Sequence, residues 1–293
     1  MLKEGIRMSG PKSYSPLRYP GGKNKLWKYA SNLISSNSLN GCTYVEPYCG
    51  GAAVALSLLF NGHVSRIVIN DYDRSIYAFW HSVLNFPNEL CELITNTDVN
   101  IENWYAQRDI QNEKQNCDLL TLGFSTLFLN RTNYSGIIKG GVLGGLNQTG
   151  DYKIDCRFNK GKLITKIHQI ADFRDRIELY NLDTLDLIEN IIPMINNECF
   201  IFFDPPYFNK GSQLYVNFYN HDDHLKLSKK ISDIDDSIYW IVTYDRTPEI
   251  ENMYPNRNKV YDLNYSAGKC GKGQEIMFYS DNMILSAECE NVV

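Results

Sequence analysis

The chain has 293 residues, 43% hydrophobic and 22% charged, with a formal net charge of −5; this suits one large globular domain, or one domain carrying an insertion, and excludes a disordered polymer. No run approaches the ~20 apolar residues of a membrane span, and residues 1–15 are polar with no apolar leader core, so a cytoplasmic location is expected. The acidic balance excludes wholesale coating of nucleic acid, yet two stretches are basic. Arg7, Lys12, Arg18, Lys23, Lys25 and Lys28 have no acid among them, and Lys139, Lys153, Arg157, Lys160 and Lys162 are balanced only by Asp151 and Asp155. Such segments on an acidic protein point to one localised polyanion-binding face.

In chain order, "LRYPGGKNK" (Leu17 to Lys25) invites comparison with a phosphate-binding loop, but that spacing needs Gly where Leu17 stands and Ser or Thr where Asn24 stands. A tight Pro-Gly-Gly turn presenting Lys23 remains. Residues 43–46 and 66–70 read as strands with a helix, 52–60, between them, which is the start of a βαβ unit. In "YVEPYCGGAAVALSLLF" the turn lets Gly50 and Gly51 bring the backbone close to a ligand. Asp71 follows at the end of the next strand, where a nucleotide-binding unit places a carboxylate for ribose hydroxyls, although G-x-G-x-x-G is absent and such an Asp also caps helices.

Residues 84–165 read as an insertion. Helices are expected over 101–114 and 119–129, followed by a Gly-, Asn-, Thr- and Lys-rich segment over 130–160, too long for a passive connection. Strands return at 177–181, 199–204, 238–243 and 275–280, with helices over 184–192 and 222–231, so the expected fold is an open, largely parallel α/β sheet covered on both faces. The second of these strands ends in "IFFDPPYF" (Ile201 to Phe208), whose prolines stop the apolar run and hold Asp204 and Tyr207 on a stiff connection at its C-terminal edge. The eight cysteines form no C-x-x-C pair and read as reduced core residues, with no metal site expected.

Together the motifs resemble the Dam-like, D12-class DNA adenine-N6 methyltransferases. Aromatic-x-Gly-Gly-Lys (Tyr19 to Lys23), Glu-Pro-Tyr-x-Gly-Gly (Glu46 to Gly51), the strand-end Asp71, an insertion and Asp-Pro-Pro-Tyr (Asp204 to Tyr207) follow in that family's order. "FLNRTNYSG", "RFNKGKLI" and "VTYDRTPEI" extend the likeness over nearly the whole chain. Pro20 replaces a more familiar Ala, Gly51-Ala52 replaces Gly-x-Gly, and the "FNVPFG"-like segment of GATC-reading enzymes is missing, so no target sequence carries over.

The resemblance implies a Rossmann-like, S-adenosylmethionine-dependent methyltransferase domain over residues 1–83 and 166–293, with a mainly helical target-recognition subdomain over 84–165. It implies that Tyr19, Lys23, Glu46, Pro47, Gly50, Asp71, Asp183 and Asp204 line the cofactor site, and that Asp204, Pro205, Pro206 and Tyr207 form the catalytic turn. Lys23, Arg131, Asn133, Lys139, Arg157 and Lys160 are the expected contacts to double-stranded DNA, and a cognate restriction endonuclease is a candidate partner. The expected reaction is direct methyl transfer to N6 of an extruded adenine, with Tyr207 offering a stacking surface. Rival expectations are an amino methyltransferase for cytosine N4 or RNA guanine N2, and a relative that binds nucleic acid without catalysis.

Overall fold

Runs of Val, Ile, Phe and Tyr, buried at nearly every position, become the inner strands of one sheet. The computed structural model describes residues 13–18, 23–195, 198–209, 219–265, 271–289 and 292. The strands are β1 (Thr43–Glu46), β2 (Arg66–Asn70), β3 (Ile177–Tyr180), β4 (Cys199–Phe203), β5 (Tyr239–Asp245), β6 (Asn258–Tyr265) and β7 (Gly271–Tyr279). They form a seven-stranded sheet in the order β3-β2-β1-β4-β5-β7-β6. The first five are mutually parallel, and β7 runs antiparallel between β5 and β6. Strand order reverses between β1 and β4, and the crevice at the C-terminal ends of such a pair is where open α/β sheets bind ligands.

The helices are α1 (Trp27–Ser36), α2 (Ala53–Phe60), α3 (Arg74–Asn85), α4 (Pro87–Asn96), α5 (Ile101–Asn112), α6 (Leu119–Thr132), α7 (Lys160–Ala171), α8 (Thr184–Asn190), α9 (His221–Ser232) and α10 (Pro248–Met253). Side-chain oxygens cap several of them, including Asp73 on α3, Asn100 on α5, Asp118 on α6 and Asn159 on α7. Alternation along the strands divides the core in two. Tyr44, Ile67, Phe200, Phe202, Ile241 and Met277 pack with α1, α2 and α3, while Val45, Ile201, Phe203, Val242 and Phe278 pack with α8, α9 and α10.

The inserted helices join the first of these clusters through Trp104, Phe124, Phe128, Leu163 and Ile167. Helix α6 lies so close to α3 that a Cβ on Gly123 would stand 2.4 Å from Ser82 Oγ and 2.6 Å from the Ala78 carbonyl oxygen. Strand β6 was not anticipated, and β7 begins at Gly271 rather than 275 because Gly-Lys-Gly carries no strand preference. Cys42, Cys49, Cys91, Cys199 and Cys289 are buried as expected, whereas Cys156 is exposed and Cys270 lies outside the described residues.

Ala52, the residue before α2, sits at φ 46°, ψ 34°, a left-handed conformation that crowds Cβ against the carbonyl. Ala52→Gly is expected to stabilise the protein by about 0.5–1 kcal/mol. A raised denaturant midpoint with unchanged slope would bear this out; a lowered one would show that the alanine methyl is worth more than the strain.

Candidate active site

The period of two along a strand, combined with the observed registers, puts Glu46, Asp204, Thr243, Glu275 and Tyr261 on one face of the sheet. They form a polar row near the C-terminal edge of the parallel strands, above an apolar interior. Lys23, from the segment before α1, inserts its ammonium into this row and is 6% exposed. Its Nζ lies 2.8 Å from both Glu275 oxygens, 3.1 Å from the Tyr207 hydroxyl and 3.4 Å from Asp204 Oδ1. Tyr207 donates to Glu275 Oε1 at 2.6 Å and Tyr261 donates to Oε2 at 2.7 Å.

Asp204 follows β4 directly. Its Oδ1 accepts from Thr243 at 2.9 Å and faces Lys23, while no described residue donates to Oδ2 and the side chain stays 28% exposed. Burial raises the Asp204 pKa; Lys23 opposes the rise and Glu275 adds to it. At Glu275 burial also pushes upward, but the Lys23 ammonium and the bonds from Lys23, Tyr207 and Tyr261 outweigh it and hold the carboxyl below its usual range. Pro205 and Pro206 are buried, and the turn beyond them is tied down by Asp245, which accepts from the Phe208 and Asn209 amides at 2.8 and 3.1 Å.

The neighbouring loop after β1 is knitted to β2. The Cys49 amide donates to the Asn70 carbonyl at 2.9 Å, Trp80 Nε1 donates to the Gly50 carbonyl at 2.9 Å, and Asn70 Nδ2 donates to the Pro47 carbonyl at 2.9 Å. Asp71 accepts from the amides of Gly50 and Asp73, both at 2.9 Å, which uses two of the roughly four acceptor directions of a carboxylate. Burial pushes its pKa up to about 7, with Asp73 adding to the rise. Glu46 points under α2, where Oε1 accepts from the Tyr44 hydroxyl at 3.1 Å and the Ala55 amide at 3.0 Å. Asp183 caps α8 by accepting from the Leu185 amide at 2.8 Å, and nearby the hydroxyls of Tyr48 and Tyr219 are 2.9 Å apart. Gly50 has a φ of 44°, which a glycine adopts freely.

Of the expected site residues, the structure therefore brings Lys23, Asp204 and Tyr207 together at one end of the crevice, and Pro47, Gly50 and Asp71 at the other. Tyr19 lies outside the described residues. Two expected nucleic-acid contacts need correction. The Lys23 ammonium is committed to an internal ion pair instead of facing a phosphate, and Asn133 is fully buried, donating to the Ile137 and Ile138 carbonyls and accepting from Trp104 Nε1. Tyr207 is 2% exposed, so a base that stacks on it must displace its present cover. Arg131 braces the segment before α1 through the Pro16 carbonyl, Lys160 donates to the Thr95 carbonyl at 2.8 Å, and Lys139 and Arg157 are exposed.

Sequence reasoning missed Thr243, Asp245, Tyr261 and Glu275 as members of the site. A signal existed for Glu275: an acid within the apolar run "QEIMFY" has to find a buried partner.

A sheet of this order, with a glycine turn after β1 and acidic groups at the ends of β1, β2 and β4, defines a Rossmann-like methyltransferase. The chain belongs to the D12 class N6 adenine-specific DNA methyltransferases, whose family model matches residues 19–266. It is 24% identical over 233 residues to the type II methyltransferase M.MjaIII of Methanocaldococcus jannaschii, covering 73% of this chain and 77% of that one. It is 20% identical over 256 residues to the type II methyltransferase M1.LlaDCHI of Lactococcus lactis subsp. cremoris, covering 82% and 84%. Among solved structures, the rRNA methyltransferase aviRa from Streptomyces viridochromogenes superposes with a TM-score of 0.41 at 11% identity, over 90% of this chain and 87% of that one. The protein is thus a site-specific DNA methyltransferase that uses S-adenosylmethionine to modify adenine at N6. Among the described residues no helix is long and apolar enough to cross a membrane.

The Glu46 carboxyl is fully buried, and burial pushes its pKa from 4.5 up to about 8 against the pull of its two donors. A carboxyl whose folded pKa is raised contributes stability that is complete below its unfolded value and lost as pH rises through the folded one. Glu46→Gln keeps an acceptor for Tyr44 and Ala55 but cannot titrate. Denaturation at a series of pH values should therefore show the variant gaining on the wild type between 4.5 and about 8; a constant difference would mean that Glu46 does not titrate in that window.

Proposed function

We propose that Asp204 Oδ2 and the Pro205 carbonyl accept hydrogen bonds from the N6 amino group of the target adenine and so make its nitrogen nucleophilic. The lone pair of N6 is delocalised into the ring, and two fixed acceptors favour a pyramidal nitrogen that recovers it. One observation carries this reading: Asp204 is pinned on Oδ1 by Thr243 and Lys23 and partly exposed otherwise. The prolines keep the carbonyl and the carboxylate in fixed relation. As positive charge grows on N6, the Asp204 carboxylate faces it and is placed to take up the proton that leaves.

The crevice between β1 and β4 fits S-adenosylmethionine by the chemistry of its groups. Gly50 allows close backbone approach, Asp71 keeps spare acceptor capacity for ribose hydroxyls, and Glu46, Pro47 and Asp183 shape the walls. When bound, the cofactor supplies an electrophilic methyl group on a sulfonium.

Residues 84–165 are the candidate target-recognition part. Where α6 and α7 meet the segment before α1, burial lowers the pKa values of Arg18 and Arg131, the Arg157 charge lowers both further and Arg18 also lowers Arg131; Lys166 adds a fourth cation, and no ion pair among the described residues neutralises any of them. Among the described residues none bonds to Arg18 Nη1, which is buried. Such a concentration of like charge is suited to the phosphates of double-stranded DNA. The naming of relatives as type II methyltransferases supports a cytoplasmic enzyme that protects DNA from a cognate restriction endonuclease.

Asp204→Ala should bind S-adenosylmethionine with near-normal affinity in calorimetry while its single-turnover methylation rate falls by about 10²–10³. Turnover close to the wild type would remove Asp204 from the chemistry. Replacing exposed Arg157 by Gln should weaken binding equally on all duplex sequences and reduce the log–log salt slope by about 1. An unchanged slope would place Arg157 away from the phosphates.

A further inference from the structure

Glu275 stands on β7 at the head of an apolar run, with Ile276, Met277 and Phe278 buried after it and its own exposure 0%. An uncompensated carboxylate there is costly, and this one is compensated at both oxygens. Oε1 and Oε2 each accept from Lys23, Oε1 also from Tyr207 and Oε2 also from Tyr261. Stability alone does not call for such a charged hub, because well-packed apolar groups replace buried ion clusters at little or no loss. What an apolar hub cannot do is hold an ammonium at a set distance from the carboxylate of Asp204.

We propose that Glu275 is a positioning residue for methyl transfer: it holds the Lys23 ammonium beside Oδ1 of Asp204 and the Tyr207 hydroxyl within the catalytic turn, leaving Oδ2 to the target amino group. The inference rests on the reading of Asp204 as the amino-group acceptor. Three segments distant in sequence are fixed by the one carboxylate: Lys23 before α1, the turn after β4, and Tyr261 on β6. Without that charge, Asp204 is the nearest counter-ion for Lys23. The ammonium then closes on Asp204 and competes with the substrate for its oxygens.

The titratable groups facing Asp204 are Lys23, Glu275, Glu46, Tyr44, Tyr207 and Tyr261. Among them Lys23 favours the Asp204 carboxylate and Glu275 disfavours it. Neutralising Glu275 therefore makes Asp204 easier to ionise, and the acid limb of the rate profile moves to lower pH.

The experiment compares wild type, Glu275→Gln, Glu275→Asp and Asp204→Ala by single-turnover methylation of duplex DNA across pH, with calorimetric binding of S-adenosylmethionine. Glu275→Gln is expected to bind the cofactor within a few-fold of wild type, to methylate at least about tenfold more slowly, and to show its acid limb at lower pH. Glu275→Asp should recover part of the rate because the charge is kept. If Asp204→Ala is slow while Glu275→Gln keeps both the wild-type rate and the wild-type acid limb, the role given to Glu275 is wrong. If Asp204→Ala itself methylates normally, the fault lies with the reading of Asp204. Should Glu275→Gln fail to fold, Tyr261→Phe removes one donor from the same carboxylate; a several-fold loss of rate at unchanged cofactor affinity supports the proposal, and an unchanged rate overturns it.

Discussion

Moving an ammonium from water into a protein interior costs several kcal/mol unless partners surround it. Lys23 meets that requirement with groups brought from two other parts of the chain: Glu275 from β7, and Asp204 and Tyr207 from the turn after β4. The separations in sequence are large, 184 residues to Tyr207 and 252 to Glu275, so the contact exists only when the sheet is complete. The segment before α1, the central strands and the antiparallel edge are therefore coupled at the site itself. Losing one member of such a cluster leaves an uncompensated charge, typically at about 3–5 kcal/mol.

The electrostatic balance of the polar row suits the chemistry. Glu275 and Lys23 neutralise each other closely, whereas burial raises the pKa values of Asp204 and Glu46. With Lys23 already paired to Glu275, the Asp204 carboxylate is the charge left to stabilise a positive centre, and positive charge is what develops on an amino nitrogen as it accepts a methyl group. The stabilising groups are fixed before substrate arrives, so little reorganisation is needed during the reaction. The cationic side of the molecule lies elsewhere, around Arg18, Arg131 and Arg157, where α6 and the start of the chain meet. The cationic cluster and the acidic site thus occupy separate parts of the fold.

Strands β1, β2 and β4 were legible in the sequence because they are buried on both faces and read as short continuous apolar runs bounded by turn residues. Strand β6 was not, since "NKVYDLNY" mixes charged, polar and aromatic residues on the sheet's edge, where one side needs no apolar cover. Asp204 could be found because two prolines mark its turn. The Lys23–Glu275 pair could not, because long-range pairing leaves no local pattern: the apolar run around Glu275 shows that it needs a buried partner but not which one. Asn133 misled for a related reason: an Asn in a polar, Gly-rich stretch looks solvent-facing, yet all its side-chain polar groups serve the backbone turn and Trp104.

The central claim is that one oxygen of Asp204 is occupied internally so that the other is free for the adenine amino group. A crystal structure of the enzyme with duplex DNA and S-adenosylhomocysteine tests it most directly. The account predicts the N6 nitrogen of an extruded adenine about 2.7–3.2 Å from both Asp204 Oδ2 and the Pro205 carbonyl oxygen, with Lys23 and Thr243 still at Oδ1. An amino group bound by other acceptors, or an Asp204 whose two oxygens are both taken up by Lys23, would contradict it.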